Sequence, residues 1–552
     1  PNPAHHQRAQ LRGSRFRGDA TWLSVALVLS TIVWMWTYRV WTPSDFGKPI
    51  EYWLDAMQNH GTIKSFADRG LSSLVGGNNP YLGAPNGASW VDFPMSEDIV
   101  YLAVGYLSRL TGVVAALNIS FLGFGLLSIC SMFFVARRLR VPAIWAALAA
   151  ALFGMSPYFH YRNVQHFNLI IYWPVPLMIL VLVWCASKRG LHIGESRFRW
   201  AAAICAIAGF HCNYYLNFFM QLLVLIGILQ IIRRQWRAFW ASTLLGIIAM
   251  SVFALVNTDT FIRIAVDGKN KVAVARSIGE TLMYGLRPLE LFVPGPLHQI
   301  PVLARLGSNY RSAAPMTGEF ASTFLGIIGV FAFVAMFFAG MNALMTGKNR
   351  GSASRFTLFS IWSIWVAMGG GLMQFAQMIV GFVAFRSNNR ISIFITGFAL
   401  LYMGRVLGRS SFQRSEWAKV AAVLLMIFGL WEAGPNQGRK IAMNGMNHWQ
   451  ARVRWAEQSA ADQKFAEALE AAVPIGSAVL DLPALEFPEL GTVGGVLDYD
   501  QFRPYLYTKE LRHSYAAIKG RPEARFAVEV ASLPPRRMIE KLKENGFSAI
   551  IF

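Results

Sequence analysis

Long uninterrupted apolar runs are the feature that most limits the folds open to this chain. A helix of about 20 apolar residues spans a bilayer, because each helical residue rises about 1.5 Å through a hydrocarbon core of about 30 Å. The windows 141–153 and 200–210 are less apolar than the rest and are expected to line the interior. The pattern predicts a polytopic α-helical membrane protein with about eleven transmembrane helices, at 21–36, 113–135, 141–153, 169–186, 200–210, 218–232, 240–256, 322–339, 356–382, 391–407 and 420–430.

Composition and charge support a membrane protein rather than a nucleic-acid-binding one. Hydrophobic residues make up 54% of the chain and charged residues 15%, whereas soluble domains carry charge at about a quarter of their positions. The net charge of +21 indicates topology, because the basic residues gather in short loops that alternation places on the side of a cytoplasmic N-terminus, as the positive-inside rule requires. Those loops are 137–140, 188–199, 233–237, 348–355 and 409–419. We therefore expect a multi-pass protein of a bacterial inner membrane, in contact with membrane lipids and with no nucleic-acid partner.

The same alternation divides the chain into three parts. We expect a basic cytoplasmic N-terminus at 1–20, a transmembrane domain at 21–433 and a periplasmic domain at 434–552. Two further external segments, about 40–98 and 257–321, are long enough to be functional or separately folded. Within these external segments we expect a helix at 49–58, a helix resuming near Ser96, and a small C-terminal α/β domain with a strand at 477–482, a helix at 534–544 and a strand at 547–552.

Motifs of several common enzyme classes are absent from the sequence. It contains no Gly-rich phosphate loop, no HExxH and no GxSxG. Its four cysteines lie within or beside predicted helices and form no CxxC pair, so we expect no disulfide framework. They are Cys130, Cys185, Cys205 and Cys212.

Several short stretches, in a consistent order along nearly the whole chain, resemble a known family. They are NPYLGAP at 79–85, DFPM at 92–95, the segment 310–319 with LG at 325–326, NRIS at 389–392, LRHSY at 511–515 and KGR at 519–521. Together with a large first external loop that has an acidic residue just after the first span, they make the chain similar to GT-C glycosyltransferases. The nearest resemblance is to a bacterial GT-C-like family whose members carry provisional names such as sugar transferase or phosphoglycerol transferase.

The resemblance implies a GT-C-like fold and an enzyme that takes a sugar from a polyprenyl-phosphate carrier at the outer membrane face. It also implies a catalytic base a few residues outside the first span, where Asp45 lies. Inverting transfer needs such a carboxylate, because the acceptor hydroxyl must lose its proton as it attacks. The alternative for Asp45 is a helix N-cap, since Ser44 and Asp45 precede a predicted helix.

Asp92 is the second candidate carboxylate of the first loop. It could bind acceptor hydroxyls, hold a divalent ion together with Asp45, or act as the base. The alternative is an acid that anchors the loop. Glu97 and Asp98 are interpreted first as acids of a helical first turn, which the helix dipole favours, with Glu97 retained as a supporting residue.

Four cationic side chains are candidates for binding the donor phosphate. Arg162 and His166 stand four residues apart, on one face of a helix, and Arg386 and Arg390 flank the start of another, where free amides favour anions. Arginine offers bidentate donors to phosphate, and ionisable groups at membrane depth are usually functional. The alternatives are an interfacial aromatic belt around the first pair, and structural pairing of the second pair with a carboxylate such as Glu319.

Three further residues are weaker candidates. Glu319 and Arg311 precede the span at 322–339, where one could neutralise phosphate while the other pairs an arginine or contacts the acceptor. His211 is expected to be a buried, hydrogen-bonded histidine, because neither it nor the other histidines have the spacing of a zinc site. No cofactor or metal is therefore required, although a divalent cation could neutralise phosphate in the same way.

The resulting prediction is an inverting GT-C glycosyltransferase. It would move a monosaccharide from a polyprenyl-phosphate carrier to a cell-envelope glycan or lipid-linked acceptor, with the C-terminal domain helping to select the acceptor. Alternatives are a phosphoglycerol transferase acting on an envelope polymer, a lipid-linked sugar flippase, and a non-catalytic scaffold. Transport is less favoured, because transporters place polar residues in broken mid-membrane helices of repeated halves and no repeat is visible.

Overall fold

The computed structural model describes residues 3–92, 95–314, 318–347, 351–380, 385–440 and 445–552. Its N-terminal part is a long helix followed by a folded loop that contains two more: α1 (Pro3–Tyr38), α2 (Leu54–Arg69) and α3 (Asp98–Thr111). The helix predicted at 49–58 is wrong at its start, because the chain is still extended at Trp53. This extended stretch brings Glu51 and Tyr52 into buried contacts with distant segments.

The predicted apolar windows coincide with helices of the middle of the chain. A first run comprises α4 (Val113–Arg138), α5 (Ala143–Gly154), α6 (Pro157–Arg162), α7 (Phe167–Ile170), α8 (Pro174–Cys185), α9 (Ser196–Gly209), α10 (Asn213–Ile232) and α11 (Trp236–Val256). Three connecting helices follow, α12 (Thr258–Asp267), α13 (Ile278–Met283) and α14 (Pro301–Ala313). The second run comprises α15 (Ile327–Thr346), α16 (Ser352–Ala367), α17 (Leu372–Val380), α18 (Ser392–Leu407) and α19 (Trp417–Ala433).

Seven helical stretches within the described ranges are long and apolar enough to cross a membrane. They are Arg17–Tyr38, Val113–Arg138, Ala143–Arg162, Asn213–Ile232, Trp236–Val256, Ile327–Thr346 and Asn388–Leu407. The remaining four predicted windows hold the shorter helices α8, α9, α16 and α19. The chain is therefore a multi-pass membrane protein, and the count of eleven spans stays a prediction.

The window 356–382 is one span in the prediction and two helices in the structure. Helix α16 ends at Ala367, and α17 begins at Leu372 after three consecutive glycines. Gly370 has φ +78°, a backbone conformation that favours glycine. A Cβ on Gly371 would lie 2.3 Å from the carbonyl oxygen of Trp365. This tight turn ends the apolar run; residues 381 and 382 lie outside the described residues.

Helix α5 forms the centre of the transmembrane core, as its lower apolarity predicted. The stretch Ala143–Arg162 is 94% buried in its most apolar window. It packs against α1, α4, α18 and α19. Because neighbouring helices surround it, its end is the point at which segments distant in sequence can meet.

The C-terminal part is a small α/β unit with a parallel sheet. Its elements are α20 (His448–Ala472), β1 (Ala478–Asp481), α21 (Phe502–Tyr507), β2 (Arg512–His513), α22 (Arg525–Ala531), α23 (Pro535–Glu544) and β3 (Phe547–Ile551), with strand order β2-β1-β3. The predicted strands at 477–482 and 547–552 and the helix at 534–544 are confirmed. Helix α20 and strand β2 were not predicted.

The C-terminal unit packs directly on the first loop. The backbone N–H groups of Gly83 and Ala84 donate to the carbonyl oxygens of Tyr515 and His513, at 2.8 and 2.9 Å. The hydroxyl of Tyr505 donates to the Asp68 carboxylate at 2.7 Å. The stretches 79–85 and 511–515, which carry the family resemblance, are therefore in contact with each other.

Helix α2 packs tightly against α21 at Gly61, which gives a test of this interface. A Cβ at Gly61 would lie 2.6 Å from the ring of Phe502, whereas one at Gly123 of α4 would meet nothing within 4 Å. Overpacking costs about 1–3 kcal/mol, more than the roughly 1 kcal/mol that alanine contributes over glycine in a helix. We expect Gly61→Ala to lower the melting temperature in detergent and Gly123→Ala to leave it unchanged or raised. Equal melting temperatures for the two variants would contradict this packing.

Candidate functional site

A buried ion-pair cluster lies where three segments meet at one end of the helix bundle. At its centre is Glu319, whose Oε2 lies 2.6 Å from Arg162 Nη1 and whose Oε1 lies 3.0 Å from Arg390 Nη2. The Nε2 atom of His166 lies 3.5 Å from Oε1. The side chains of Arg162 and Arg390 are only 2% and 9% exposed. We call these four residues the Glu319 cluster.

Local structure places each member of the cluster at the end of an element. Arg162 is the last residue of α6, which Pro157 starts, and His166 lies in the turn that follows. Arg390 lies in the 3₁₀ turn Asn388–Ile391 that leads into α18. The structure thus brings together four of the predicted site residues, and it also shows the alternative pairing of Arg390 with Glu319.

The cluster carries more positive than negative charge. Two guanidinium groups face one carboxylate, and burial lowers the pKa of His166 to about 3, so that its ring is neutral at physiological pH. Within the described part of the chain, neither Nε nor Nη2 of Arg162 has a hydrogen-bond partner. Buried donors without partners are costly. The cluster can therefore accept an anion with several oxygen atoms.

Glu319 stays ionised at the centre of this site. Burial raises the pKa of its carboxyl, but the attraction of Arg162 and Arg390 outweighs burial and holds the pKa well below its usual range. The two guanidinium groups also lie over aromatic rings, Arg162 at 5.2 Å from the ring centre of Tyr158 and Arg390 at 4.3 Å from that of Tyr214. Ion pairs and cation–π contacts thus fix both arginines before any ligand binds.

Asp55 lies beside the cluster and was not singled out from the sequence. It is in the first turn of α2, and its Oδ2 lies 4.0 Å from His166 Nε2. Its side chain is 48% exposed, so its carboxylate is accessible to a ligand. No described residue donates a hydrogen bond to this carboxylate. The helix predicted at 49–58 placed Asp55 in the middle of a helix. With the observed start at Leu54, Asp55 lies in the first turn, a position that would have made it a candidate.

The surroundings of Asp55 raise its pKa to about 6. Burial is the main cause, and the negative charges of Glu489 and Asp498 add to it, while Arg386 and Arg390 act in the opposite direction. Catalytic bases work best with a pKa near the working pH, and perturbed carboxyl groups collect at functional sites. Asp55 therefore has the protonation behaviour and the accessibility of a general base.

The carboxylate of Asp45, the predicted base, is occupied by hydrogen bonds within its own turn. Its carboxylate accepts hydrogen bonds from the backbone N–H groups of Trp41 and Thr42, from the Thr42 hydroxyl and from Lys48. The bond from Lys48, followed by those from the turn, holds the pKa of Asp45 well below its usual range. This geometry matches a capping role, although Asp45 is the third residue of the turn and Thr42 its N-cap.

Asp92, the other predicted carboxylate, anchors the first loop to the C-terminal unit. It forms a bidentate pair with Arg521, at 2.6 and 2.7 Å, and accepts a longer bond from Asn270. Burial raises the pKa of Asp92, but the bonds from Arg521 bring it below the usual value. Among the described residues, Asp45 and Asp92 share no hydrogen-bond or ion-pair partner, so the structure does not bring them together.

Two of the other predicted arginines lie outside the cluster. Arg386 lies at 3.3 Å from Glu280 and 3.8 Å from Glu489, with its guanidinium over the ring of Tyr284. These contacts are long, so Arg386 is loosely held at the rim of the Glu319 cluster. Its positive charge opposes the rise in the pKa of Asp55. Arg311, in the last turn of α14, is exposed and is not part of the site.

His211 and Glu97 have local partners. His211 Nδ1 lies 2.8 Å from the Ile207 carbonyl oxygen, as expected for a buried, hydrogen-bonded histidine. Glu97 is buried at the N-cap of α3, one position before the helix begins and not in its first turn as predicted, and burial raises its pKa to about 7. Within the described ranges, no three His, Cys, Asp or Glu side chains are grouped so that they could hold a metal ion.

Comparisons with known proteins find similar solved structures but no similar sequence. No family model matches the chain, and no curated protein matches its sequence. Among solved structures, the crystal structure of ArnT from Cupriavidus metallidurans bound to undecaprenyl phosphate aligns with 94% of this chain and 89% of its own, at 14% identity and a TM-score of 0.46. A TM-score below 0.5 does not establish a common fold.

The pKa values of Asp55 and Asp45 predict opposite effects of neutralising them. The folded-state pKa of Asp55 is raised from 3.8 to about 6. Its protonated carboxyl therefore contributes to the stability of the fold at low pH, and this contribution is lost as the pH rises through about 6. The folded-state pKa of Asp45 lies below 3.8, so its contribution is fully present above 3.8 and is lost only in acid. We expect Asp55→Asn to gain stability over wild type as the pH rises from about 4 to about 6, and to keep that gain at higher pH. Asp45→Asn should be less stable than wild type by a nearly constant amount across the same pH range.

Melting temperatures of the three proteins across that pH range, in one detergent, measure both effects. A stability difference between Asp55→Asn and wild type that does not change with pH would contradict the raised pKa of Asp55.

Proposed function

We propose that this chain is an inverting GT-C glycosyltransferase that moves a monosaccharide from a polyprenyl-phosphate carrier to a cell-envelope glycan or lipid-linked acceptor. The observation that carries the proposal is the position of an accessible carboxylate with a raised pKa, Asp55, beside a buried cluster with surplus guanidinium donors. A reaction with a phosphate leaving group and a hydroxyl nucleophile needs both features next to each other.

The Glu319 cluster would bind the donor phosphate. Arg162 and Arg390 supply fixed positive charge, the unpartnered Nε and Nη2 of Arg162 supply donors, and Glu319 holds both guanidinium groups in place. As the bond between the anomeric carbon and the phosphate oxygen breaks, charge grows on the phosphate. Donors already fixed in a site with little water stabilise that charge most effectively. Arg386, loosely held at the rim, would complete the binding of the phosphate.

Asp55 would take the proton from the acceptor hydroxyl as its oxygen attacks the anomeric carbon. The phosphate leaves with the bonding electrons, so the sugar changes configuration in a single displacement. His166, neutral and between Asp55 and Glu319, separates the base from the carboxylate that orders the arginines. In this proposal Asp45, Asp92, Glu97 and His211 have structural roles and take no part in the transfer.

The arginines provide the charge that a divalent cation provides in other phosphate sites, so we expect transfer to be independent of added metal. The chemistry requires no organic cofactor. We place the protein in a bacterial inner membrane with the N-terminus in the cytoplasm. The site and the C-terminal unit then lie in the periplasm, where envelope acceptors and lipid-linked donors meet.

Transfer by purified protein in liposomes tests the assignment of the base. Labelled short-chain polyprenyl-phosphate monosaccharides serve as donors, a cell-envelope extract serves as acceptor, and release of the polyprenyl phosphate is followed in parallel. We expect Asp55→Asn to lose transfer by about 100-fold or more, since a positioned base contributes about 10²- to 10⁴-fold, and to bind donor as wild type does.

The matched control is Asp45→Asn, which removes a carboxylate of the same loop. We expect it to retain transfer within about threefold once it is folded, because its carboxylate serves the turn. If Asp45→Asn abolishes transfer and Asp55→Asn does not, the base is Asp45, as the resemblance implies.

Binding of short-chain polyprenyl phosphate tests the anion site without knowledge of the sugar. We expect Arg390→Gln to weaken binding by about 10- to 100-fold, because a hydrogen bond to a charged group contributes about 1.5–3 kcal/mol. Arg409→Gln, which removes an exposed arginine of the loop after α18, should bind as wild type does. Binding is measured by titration in detergent, at constant salt.

Three outcomes would replace the proposal. Transfer from phosphatidylglycerol, with none from any polyprenyl-phosphate sugar, would establish the phosphoglycerol transferase alternative at the same cluster. Movement of a lipid-linked sugar across the liposome membrane without cleavage of its phosphate bond would establish the flippase. A folded protein that binds no lipid phosphate and transfers nothing would favour the scaffold.

A further inference from the structure

A buried carboxylate next to the proposed base takes no part in the proposed chemistry. Glu51 is 5% exposed, and its two oxygens accept hydrogen bonds from Trp53 Nε1 at 3.0 Å, from Asn163 Nδ2 at 2.7 Å and from Gln165 Nε2. These three hydrogen bonds give the carboxylate a structural role. Among the described residues, its donors come from the segment that precedes Asp55 and from the segment that precedes His166.

Gln165 continues this network into helix α2. Its Oε1 accepts the backbone N–H of Ala56 at 3.1 Å. Ala56 belongs to the first turn of the helix, where amide groups have no partner within the helix. The N-cap residue of α2, Trp53, has no side-chain oxygen and makes no cap hydrogen bond. A glutamine more than 100 positions away in the chain therefore caps the helix that carries Asp55.

A second contact joins the same two segments. Asn59, in the next turn of α2, donates from Nδ2 to the carbonyl oxygens of Val164 and Gln165, both at 2.9 Å. Its own Oδ1 accepts the hydroxyl of Tyr101 at 3.1 Å. The first two turns of α2 are thus bound to the turn that leads to His166, so neither segment can move without the other.

The backbone of both segments is strained where they meet. Leu54 has φ +45° and Asn163 has φ +37°, in a region that residues with side chains rarely adopt. Leu54 directly precedes Asp55, and Asn163 lies three residues before His166. Such conformations persist only where surrounding contacts impose them, and they collect at functional sites. Hydrogen bonds of Glu51 and Gln165 hold Asn163 itself and, on either side of Leu54, Trp53 and Ala56.

We propose that Gln165 is a positioning residue for the transfer reaction: with Glu51 it caps α2 and sets the distance and orientation of Asp55 relative to His166 and the Glu319 cluster. This inference rests on the proposed function, in which Asp55 is the base. Gln165 touches neither the donor nor the acceptor and acts only through the start of α2. Small displacements of a base have large effects on rate, about 100-fold for 1 Å.

The first test uses chemical labelling and needs no activity. Dicyclohexylcarbodiimide reacts with protonated carboxyl groups in apolar surroundings, and peptide mass spectrometry locates the product. For wild-type protein in detergent, we expect labelling of Asp55 to fall with a midpoint near pH 6. In Gln165→Met the helix start is released and Asp55 gains solvent, so its midpoint should fall by about one pH unit or more. Labelling of Glu97, whose pKa of about 7 comes from burial elsewhere, should not change.

The matched control is Gln230→Met. Gln230 is also a buried glutamine that joins two segments, through the Cys185 carbonyl oxygen and the Ser242 hydroxyl, both at 3.1 Å. It has no contact with α2. We expect its variant to label at Asp55 as wild type does. An equal change in both variants would reflect general loosening and would overturn the inference.

The second test uses the transfer assay. We expect Gln165→Met to reduce kcat by about 100-fold with an unchanged KM for the donor, because the phosphate site is intact. Exchanging the pair in the double variant Glu51→Gln with Gln165→Glu restores a donor opposite an acceptor and keeps an oxygen for the Ala56 amide, although Trp53 Nε1 loses its acceptor. It should recover kcat to within about 10-fold of wild type.

The two tests separate the inference from the function on which it rests. If wild-type protein transfers nothing, the proposed function fails, and the labelling midpoints still show whether Gln165 positions Asp55. If wild-type protein transfers and Gln165→Met changes neither kcat nor the labelling midpoint, Gln165 has no positioning role and the inference is overturned.

Discussion

The paired charges of the Glu319 cluster are the constraint on which the rest of the arrangement depends. Taking an arginine out of water costs several kcal/mol unless it is paired and hydrogen-bonded, and at membrane depth such residues face the protein interior. Arg162 ends one helix, Arg390 starts another, and Glu319 comes from a loop between them in sequence. Removing Glu319 would leave two buried guanidinium groups without a counter-ion, at a cost of about 3–5 kcal/mol.

The stretches that carry the family resemblance meet in pairs. Residues 79–85 bond to 511–515 through the backbone, Asp92 of the second stretch pairs with Arg521 of the last, and Glu319 of the third pairs with Arg390 of the fourth. Two of these contacts join the first loop to the C-terminal unit, and the third joins two parts of the membrane region. These stretches therefore join segments that are distant in sequence.

Local sequence was enough to predict the long apolar helices but not the site. Apolar runs predicted the seven stretches of the described residues that are long and apolar enough to cross a membrane, because burial of a whole helix in lipid needs only composition and length. Arg162, His166, Arg390 and Glu319 could be chosen by type and place, although their contact depends on residues far apart in the chain. Asp45 and Asp55 could not be distinguished by sequence. They differ in whether neighbouring groups donate hydrogen bonds to the carboxylate, as they do to Asp45, and this depends on the folded structure. The cap on α2 comes from Gln165, and no pattern near residue 54 reveals it.

The contact between Tyr505 and Asp68 joins residues 437 positions apart, which has a consequence for biosynthesis. Synthesis proceeds at about 5–20 residues per second, so the first loop waits about 20 to 90 seconds before its partner is made. During this time the first loop exposes Tyr52 and Met57, which are buried in the folded protein. The chain is therefore most vulnerable to proteases and to aggregation while it is still attached to the ribosome, and its first loop is the segment that a chaperone would have to protect.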